Sequence, residues 1–218
     1  MNYGYIAIEG NIGSGKTSLS KMLAKRYDAQ LVLEEFENNE FLPKFYKDPR
    51  RHAFTLEMSF LAERYHQLSS LGSHVSLFNS VRISDYLLSK SLIFAASNLS
   101  DDELRLFRKV FDIMFKTVPN PDLLVYLYSD TDRLLKNIRK RGRRYEQSIK
   151  REYLSLVQSK YLDFLRKQSS GMRVLILDVS QVDFVKDSFV YENMLSVIEK
   201  PRSKGLHHEL IKSPLKPL

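Results

Sequence analysis

Along this chain, short apolar runs alternate with longer stretches in which apolar residues recur every three or four positions. Tyr5-Ile6-Ala7-Ile8 predicts a strand, and Lys16–Tyr27, with Leu19, Met22 and Leu23 at helical spacing, predicts a helix. Further strands are expected at Leu31–Leu33, Val81–Asp85, Leu123–Leu127 and Val174–Asp178. Further helices are expected at Ala53–Leu71, Tyr86–Ala96, Asp101–Thr117, Asp132–Lys140, Glu152–Gln168 and Asp187–Glu199, with Ser100 or Asp101 as an N-cap. The fourth and fifth strands are almost wholly apolar, as strands covered on both faces must be. Alternating strands and helices specify an α/β fold: a three-layer α/β/α arrangement around a five-stranded parallel sheet, with ligands at the strand C-termini. Residues 1–199 form one domain on this reading. Residues 200–218 lose the periodicity, turn Lys-, Pro- and Ser-rich, and are expected to be a flexible basic tail.

A chain of 218 residues suits a single core of this kind. It has no cysteine, which excludes disulfides, thiolate metal sites and a cysteine nucleophile. No signal segment or bilayer-length apolar run is present, so the expected location is cytoplasmic, with no membrane partner. The net charge of +8 raises the possibility of a nucleic-acid partner, but its distribution argues otherwise. Arg133–Arg151 carries nine Lys/Arg against Glu146 alone, a surplus of +8, the stretch after Glu199 carries a further +4, and the remainder of the chain nets −4. Charge concentrated in one short segment suits a clamp on a compact polyphosphate better than a duplex-binding face, so no nucleic acid is expected as a partner.

Between the first strand and first helix lies Gly10-Asn11-Ile12-Gly13-Ser14-Gly15-Lys16-Thr17, followed by Ser18, which satisfies G-x-x-x-x-G-K-[ST] in the strand–loop–helix context the motif requires. In such a P-loop the backbone N–H groups curl around a β-phosphate, the lysine reaches the β/γ oxygens and the threonine hydroxyl can hold Mg²⁺. ATP and Mg²⁺ are the implied cofactors. No N-K-x-D guanine motif or strand-end Asp-x-x-Gly is present, against a GTPase. No apolar strand runs into Asp-Glu, against a motor ATPase.

Phosphoryl transfer to a hydroxyl needs a carboxylate near the acceptor proton, a metal-linked acid and positive charge over the transferred group. Glu34, after the second strand, is the candidate base, or else an exposed strand-end acid. Asp85, ending the third strand, is a candidate Mg²⁺ ligand, or else a helix N-cap. Arg141-Gly142-Arg143 could close as a lid, or end a solvated helix. Phe54, Glu57, Leu61 and Arg64 recur at three- and four-residue spacing, and a charged pair on an otherwise apolar stripe suggests a binding face beside a core one.

With these residues in view the chain resembles the deoxynucleoside kinase family over roughly Tyr3–Lys200, most closely its bacterial deoxyadenosine kinase branch. The resemblance is carried by Ile8-Glu9-Gly10-Asn11-Ile12, Phe45-Tyr46-Lys47-Asp48, Arg141-Gly142-Arg143-Arg144-Tyr145-Glu146-Gln147 and Glu152-Tyr153-Leu154. It implies that Glu34 is the general base for a sugar 5′-hydroxyl and that Tyr46 and Glu146 share the 3′-hydroxyl. It further implies that Arg141 and Arg143 bind phosphate and that the Phe54–Arg64 face lines the base pocket. The implied activity is nucleotide salvage, with deoxyadenosine as first substrate and deoxyguanosine second. A homodimer is implied too, consistent with surplus apolar positions on the helices after Ala53 and Ser100.

Three positions depart from the family pattern: Glu57 stands for an amide, Tyr86 for an arginine after the strand-end acid, and Asn137 for an arginine before the lid. Arg82, Arg139 and Arg144 are the candidates to replace the missing phosphate contact. An ionised Glu57 could only accept hydrogen bonds, which suits an exocyclic amine. Two other functions share parts of the pattern. A nucleoside monophosphate kinase such as thymidylate kinase would need additional arginines at its acceptor site, and an ATP-dependent nucleic-acid-binding protein would need a broader basic face.

Overall fold

The computed structural model describes residues 2–36, 39–70 and 81–213. Its sheet has six parallel strands in the order β2-β3-β1-β4-β5-β6. They are β1 Tyr5–Gly10, β2 Gln30–Val32, β3 Arg82–Ser84, β4 Leu123–Tyr128, β5 Arg173–Asp178 and β6 Gly205–Leu210. Eight α-helices are formed among the described residues: α1 Lys16–Tyr27, α2 Phe41–Lys47, α3 Pro49–Ser70, α4 Lys90–Asn98, α5 Asp101–Phe115, α6 Thr131–Arg141, α7 Arg151–Gln168 and α8 Ser188–Glu199. The expected Leu71 at the end of α3 and the last residues of the tail, 214–218, lie outside the described residues.

The period-2 alternation of each central strand divides the core in two. Ile6, Ile8, Val125, Leu175 and Leu177 meet Leu19 and Leu23 of α1 and Met194 and Ile198 of α8 on one face. Tyr5, Ala7, Leu124, Tyr126 and Ile176 meet Ile93 of α4 and Val157, Tyr161 and Leu165 of α7 on the other. Helices α3 and α5 pack outside α4 through Leu61, Leu68, Phe107 and Phe111. Helix α5 starts at Ser100 with a reciprocal capping box, Glu103 accepting from the Ser100 N–H.

Two expectations are corrected. The sheet has six strands, because Gly205–Leu210 of the expected tail pairs with β5 along its whole length. Its apolar Leu206 and Leu210 face outward, so the strand is held by backbone pairing and by buried Ile211 at its end, which leaves no apolar alternation in the sequence. Helix α2, rich in large aromatic residues and containing Pro43, was not expected. It forms because Phe45 packs with Ala53, Leu56 and Phe60 of α3.

Strand β1 lies between β3 and β4, so the chain crosses from β1 to β2 on one side of it and later from β3 to β4 on the other. This is the switch point at which a parallel sheet opens a crevice beyond its strand C-termini.

Candidate active site

A crevice of about 870 Å³ occupies that switch point, bounded by the loop after β1, the segment after β2, α3, the start of α4 and the α6–α7 lid. The P-loop forms its floor. A Cβ added at Gly10 would lie 2.7 Å from the Leu127 carbonyl oxygen, and one at Gly15 would lie 2.9 Å from the Phe184 ring. Both glycines also have positive φ, 154° and 96°. The turn that results leaves the first N–H groups of α1 without a side-chain cap, which fits a phosphate at that helix end. Ile12, Gly13, Ser14, Gly15, Lys16, Thr17 and Ser18 line the crevice, whereas Gly10 and Asn11 support it from below. Asn11 donates to the Leu154 carbonyl at 2.8 Å, and its own carbonyl accepts from the Lys16 ammonium at 3.1 Å. Burial and the nearby Lys90 ammonium lower the Lys16 pKa to about 8.

Glu34 lies two residues beyond β2 and enters the crevice, where it is no exposed strand-end acid. Arg64 Nε donates to its Oε1 at 2.7 Å and Lys90 Nζ pairs with its Oε2. Burial alone would raise this carboxyl, but the Lys90 ammonium and the Arg64 guanidinium outweigh it and hold the pKa at about 2. Asp85 is not the helix N-cap, since α4 starts only at Lys90. It accepts instead from Thr17 Oγ1 at 2.6 Å and from the Glu34 N–H at 2.8 Å, tying the P-loop helix to the segment that carries Glu34.

On the lid, Glu146 is buried and accepts from Arg141 Nε at 3.1 Å and from Arg143 Nη1 at 3.4 Å. The Arg143 guanidinium stacks 4.2 Å from the centre of the Phe36 ring. Tyr46 stacks on Tyr145 at 5.9 Å, and burial raises its hydroxyl pKa well above the usual tyrosine value, with the Glu146 charge contributing. The structure thus brings Lys16, Glu34, Tyr46, Arg141, Arg143 and Glu146 around one space.

The base-pocket expectation is partly corrected. Glu57 and Arg64 line the crevice, but Phe54 does not and Leu61 is fully buried in the core. With 3.6 residues per turn, Leu61 and Phe54 sit roughly 100° and 120° around α3 from the centre of the stripe of Leu56, Phe60 and Arg64 that faces inward. Glu57 accepts from Asn98 Nδ2 at 2.7 Å through Oε1, while its buried Oε2 has no hydrogen-bond partner. Burial pushes its carboxyl up to about 7 against the pull of Arg64, so near neutrality it both donates and accepts, unlike the ionised acceptor assumed from sequence.

None of the expected substitute arginines reaches the crevice. Arg82 Nε donates to Gln30 at 3.1 Å near the N-terminal end of the sheet, and Arg139 and Arg144 lie outside the lining. Tyr86 is a core residue whose hydroxyl donates to Gln67 at 2.5 Å, and Asn137 donates to the Gly13 carbonyl at 2.8 Å, bracing the P-loop. Sequence reasoning missed Lys90, Asn98 and Phe60 and met Tyr153 only as part of the lid motif, and all four line the crevice. Lys90 had one weak signal, a lone lysine opening an apolar helical segment.

The geometry agrees with comparison to known proteins. A family model described as deoxynucleoside kinase matches residues 6–201. This chain belongs to the deoxynucleoside kinase family. Among curated members of that family it is 33% identical over 199 residues to a deoxyguanosine kinase of Bacillus subtilis, covering 90% of this chain and 96% of the relative. It is 31% identical to a deoxyadenosine kinase of Lactobacillus acidophilus, covering 92% and 97%. A deoxyadenosine kinase from M. mycoides solved with bound dATP superposes with a TM-score of 0.76 at 24% identity, over 88% of this chain and 99% of that one, and shares its fold.

Proposed function

We propose that this deoxynucleoside kinase transfers the γ-phosphate of ATP to the 5′-hydroxyl of a purine deoxynucleoside in nucleotide salvage, with deoxyadenosine as first substrate and deoxyguanosine second. The observation that carries the reading is the Glu34 carboxylate facing the same crevice as Lys16, with Tyr46 and Glu146 on the acceptor side. Glu34 takes the hydroxyl proton, and Arg64, itself bonded to Ser91 at 2.7 Å, keeps that carboxylate oriented. Lys16, Arg141 and Arg143 neutralise charge on the transferred group. Tyr46 and Glu146 select the 3′-hydroxyl. Thr17 and Asp85 present hard oxygen donors suited to Mg²⁺, which when bound would add electrostatic stabilisation of the phosphates. Names of relatives support the purine assignment, since they include deoxyguanosine, deoxyadenosine and deoxyadenosine/deoxycytidine kinases.

An assay of labelled phosphate transfer from ATP to the four deoxynucleosides and their monophosphates tests the reading. Faster transfer to deoxyadenosine monophosphate than to deoxyadenosine would favour a monophosphate kinase. The acceptor wall argues against that outcome, because its Arg64 is already committed to Glu34 and Ser91. Arg133, Lys140, Arg141 and Arg143 of the basic segment line the crevice, which supports a small-molecule polyphosphate over a nucleic acid.

Glu57 divides the purines by its protonation state. A protonated carboxyl donates to adenine N1 and accepts from the 6-amino group, whereas a carboxylate accepts from guanine N1–H and the 2-amino group together. The groups facing it are Arg64, Lys90, Glu34, Asn98 and Tyr153. The kcat/KM ratio of deoxyadenosine to deoxyguanosine should therefore fall about tenfold as pH rises from about 6 to 8, the cost of one unmatched buried polar contact. Glu57→Gln should flatten that dependence; a ratio independent of pH in the wild type would remove Glu57 as the discriminator.

No helix among the described residues is long and apolar enough to cross a membrane, consistent with the proposed cytoplasmic location. Leu106 and Ile113, one heptad apart on α5, are 53% and 75% exposed and support the proposed homodimer, which light scattering would test.

A further inference from the structure

Lys90 is a buried cation in an unfavourable place. Its side chain is only 7% exposed, and it is the first residue of α4, where the helix dipole opposes positive charge. It shares the crevice wall with Lys16 and Arg64, and each ammonium feels the other. Such crowding of like charges persists in a protein interior only with compensating anions; Glu34 and the buried Glu9 supply two, and a polyphosphate on the P-loop would be a third.

The two cations on Glu34 are held differently. Arg64 is fixed through Nε and Nη2 to Oε1 at 2.7 Å each, by Ser91 at 2.7 Å and by the Phe60 ring beneath it at 4.7 Å. Lys90 has Glu34 Oε2 as its hydrogen-bonding acceptor and the Phe94 ring at 5.6 Å, on a flexible four-carbon stem. Both carboxylate oxygens are thus covered, and only the Lys90 contact can be exchanged without dismantling a planar, multiply bonded group. Tyr86 meanwhile stands in the core, and Arg82, Arg139 and Arg144 do not reach the crevice.

We propose that Lys90 is a phosphate-binding residue of the transfer reaction, leaving Glu34 Oε2 for a non-bridging oxygen of the γ-phosphate. The proposal rests on the deoxynucleoside kinase reading of the crevice. In the step served, the 5′-hydroxyl proton passes to the uncovered Glu34 Oε2 and the O5′ electron pair forms the bond to γ-phosphorus. The bond from γ-phosphorus to the bridging oxygen breaks, with its electron pair leaving on ADP. Lys90 keeps its protons throughout, so one movement exposes the base and delivers charge to the group being transferred.

Lys90→Met keeps the length of the stem and removes the charge. Calorimetry should show its affinity for the β,γ-imido analogue of ATP weakened about tenfold and its deoxynucleoside affinity changed less than about twofold, with kcat lower by about 50-fold. Lys90→Arg should recover part of both losses. In the wild type labelled with ¹⁵Nζ lysine, adding the analogue should move the Lys90 signal, assigned by its absence in Lys90→Arg, along with that of Lys16. A Lys90 signal that stays fixed while Lys16 moves, or unchanged analogue affinity and kcat in Lys90→Met, would overturn the proposal and leave Lys90 a static partner of Glu34. If the wild type phosphorylates no nucleoside, the activity reading fails by itself, and analogue affinity and the lysine signals still decide the role of Lys90.

Discussion

Glu34→Gln is expected to lower kcat about 10³-fold, because an amide in this position cannot take the hydroxyl proton. The effect on binding should be much smaller, since glutamine fills the same volume and the proposed sugar and base contacts fall to Tyr46, Glu146 and Glu57, which line the same crevice. A second consequence follows from the cations around it. Arg64 and Lys90 both pair with this carboxylate inside the protein, and removing its charge leaves them uncompensated at a cost of about 3 kcal/mol or more. The variant should therefore unfold several degrees lower than the wild type while remaining folded at assay temperature. Single-turnover kinetics and thermal unfolding together check both parts. Full activity in the variant would show that proton removal does not pass through position 34.

Lys16→Met should have an effect of similar size through a different route. The ammonium is held under the loop by the Asn11 carbonyl, in the low-dielectric crevice where a preorganised charge is worth far more than in water. Its loss should reduce kcat about 10²- to 10³-fold and weaken ATP binding, while deoxynucleoside affinity stays near that of the wild type. Unlike Glu34→Gln, the variant should not be strongly destabilised, because burial and the neighbouring Lys90 already work against the Lys16 charge. Comparing kcat, the KM for ATP and the KM for nucleoside would separate this pattern from a general loss of folded protein. A variant with unaltered ATP affinity and turnover would mean that the loop does not hold the nucleotide phosphates.

The two variants also probe how the fold divides its labour. Lys16 is placed by local chain geometry, a strand, a glycine turn and a helix start contiguous in sequence. Glu34 is placed by contacts from Arg64 on α3, Lys90 on α4 and Asp85 after β3, segments 30 to 56 residues away along the chain.

That division explains what could be read without a structure. The sequence by itself determined the five strands β1–β5, the P-loop and its lysine, and the basic lid, because each is written in contiguous periodicity, glycine placement or charge. Only the tertiary structure decided which face of α3 looks into the crevice, turning Phe54 away and Phe60 inward. It alone placed Lys90 on Glu34, raised the Glu57 carboxyl to about 7, and recruited Gly205–Leu210 as a sixth strand. These outcomes depend on burial, on charges brought close from distant segments and on backbone pairing at a sheet edge. None of the three leaves a periodic trace in the chain, because each is a property of neighbours in space.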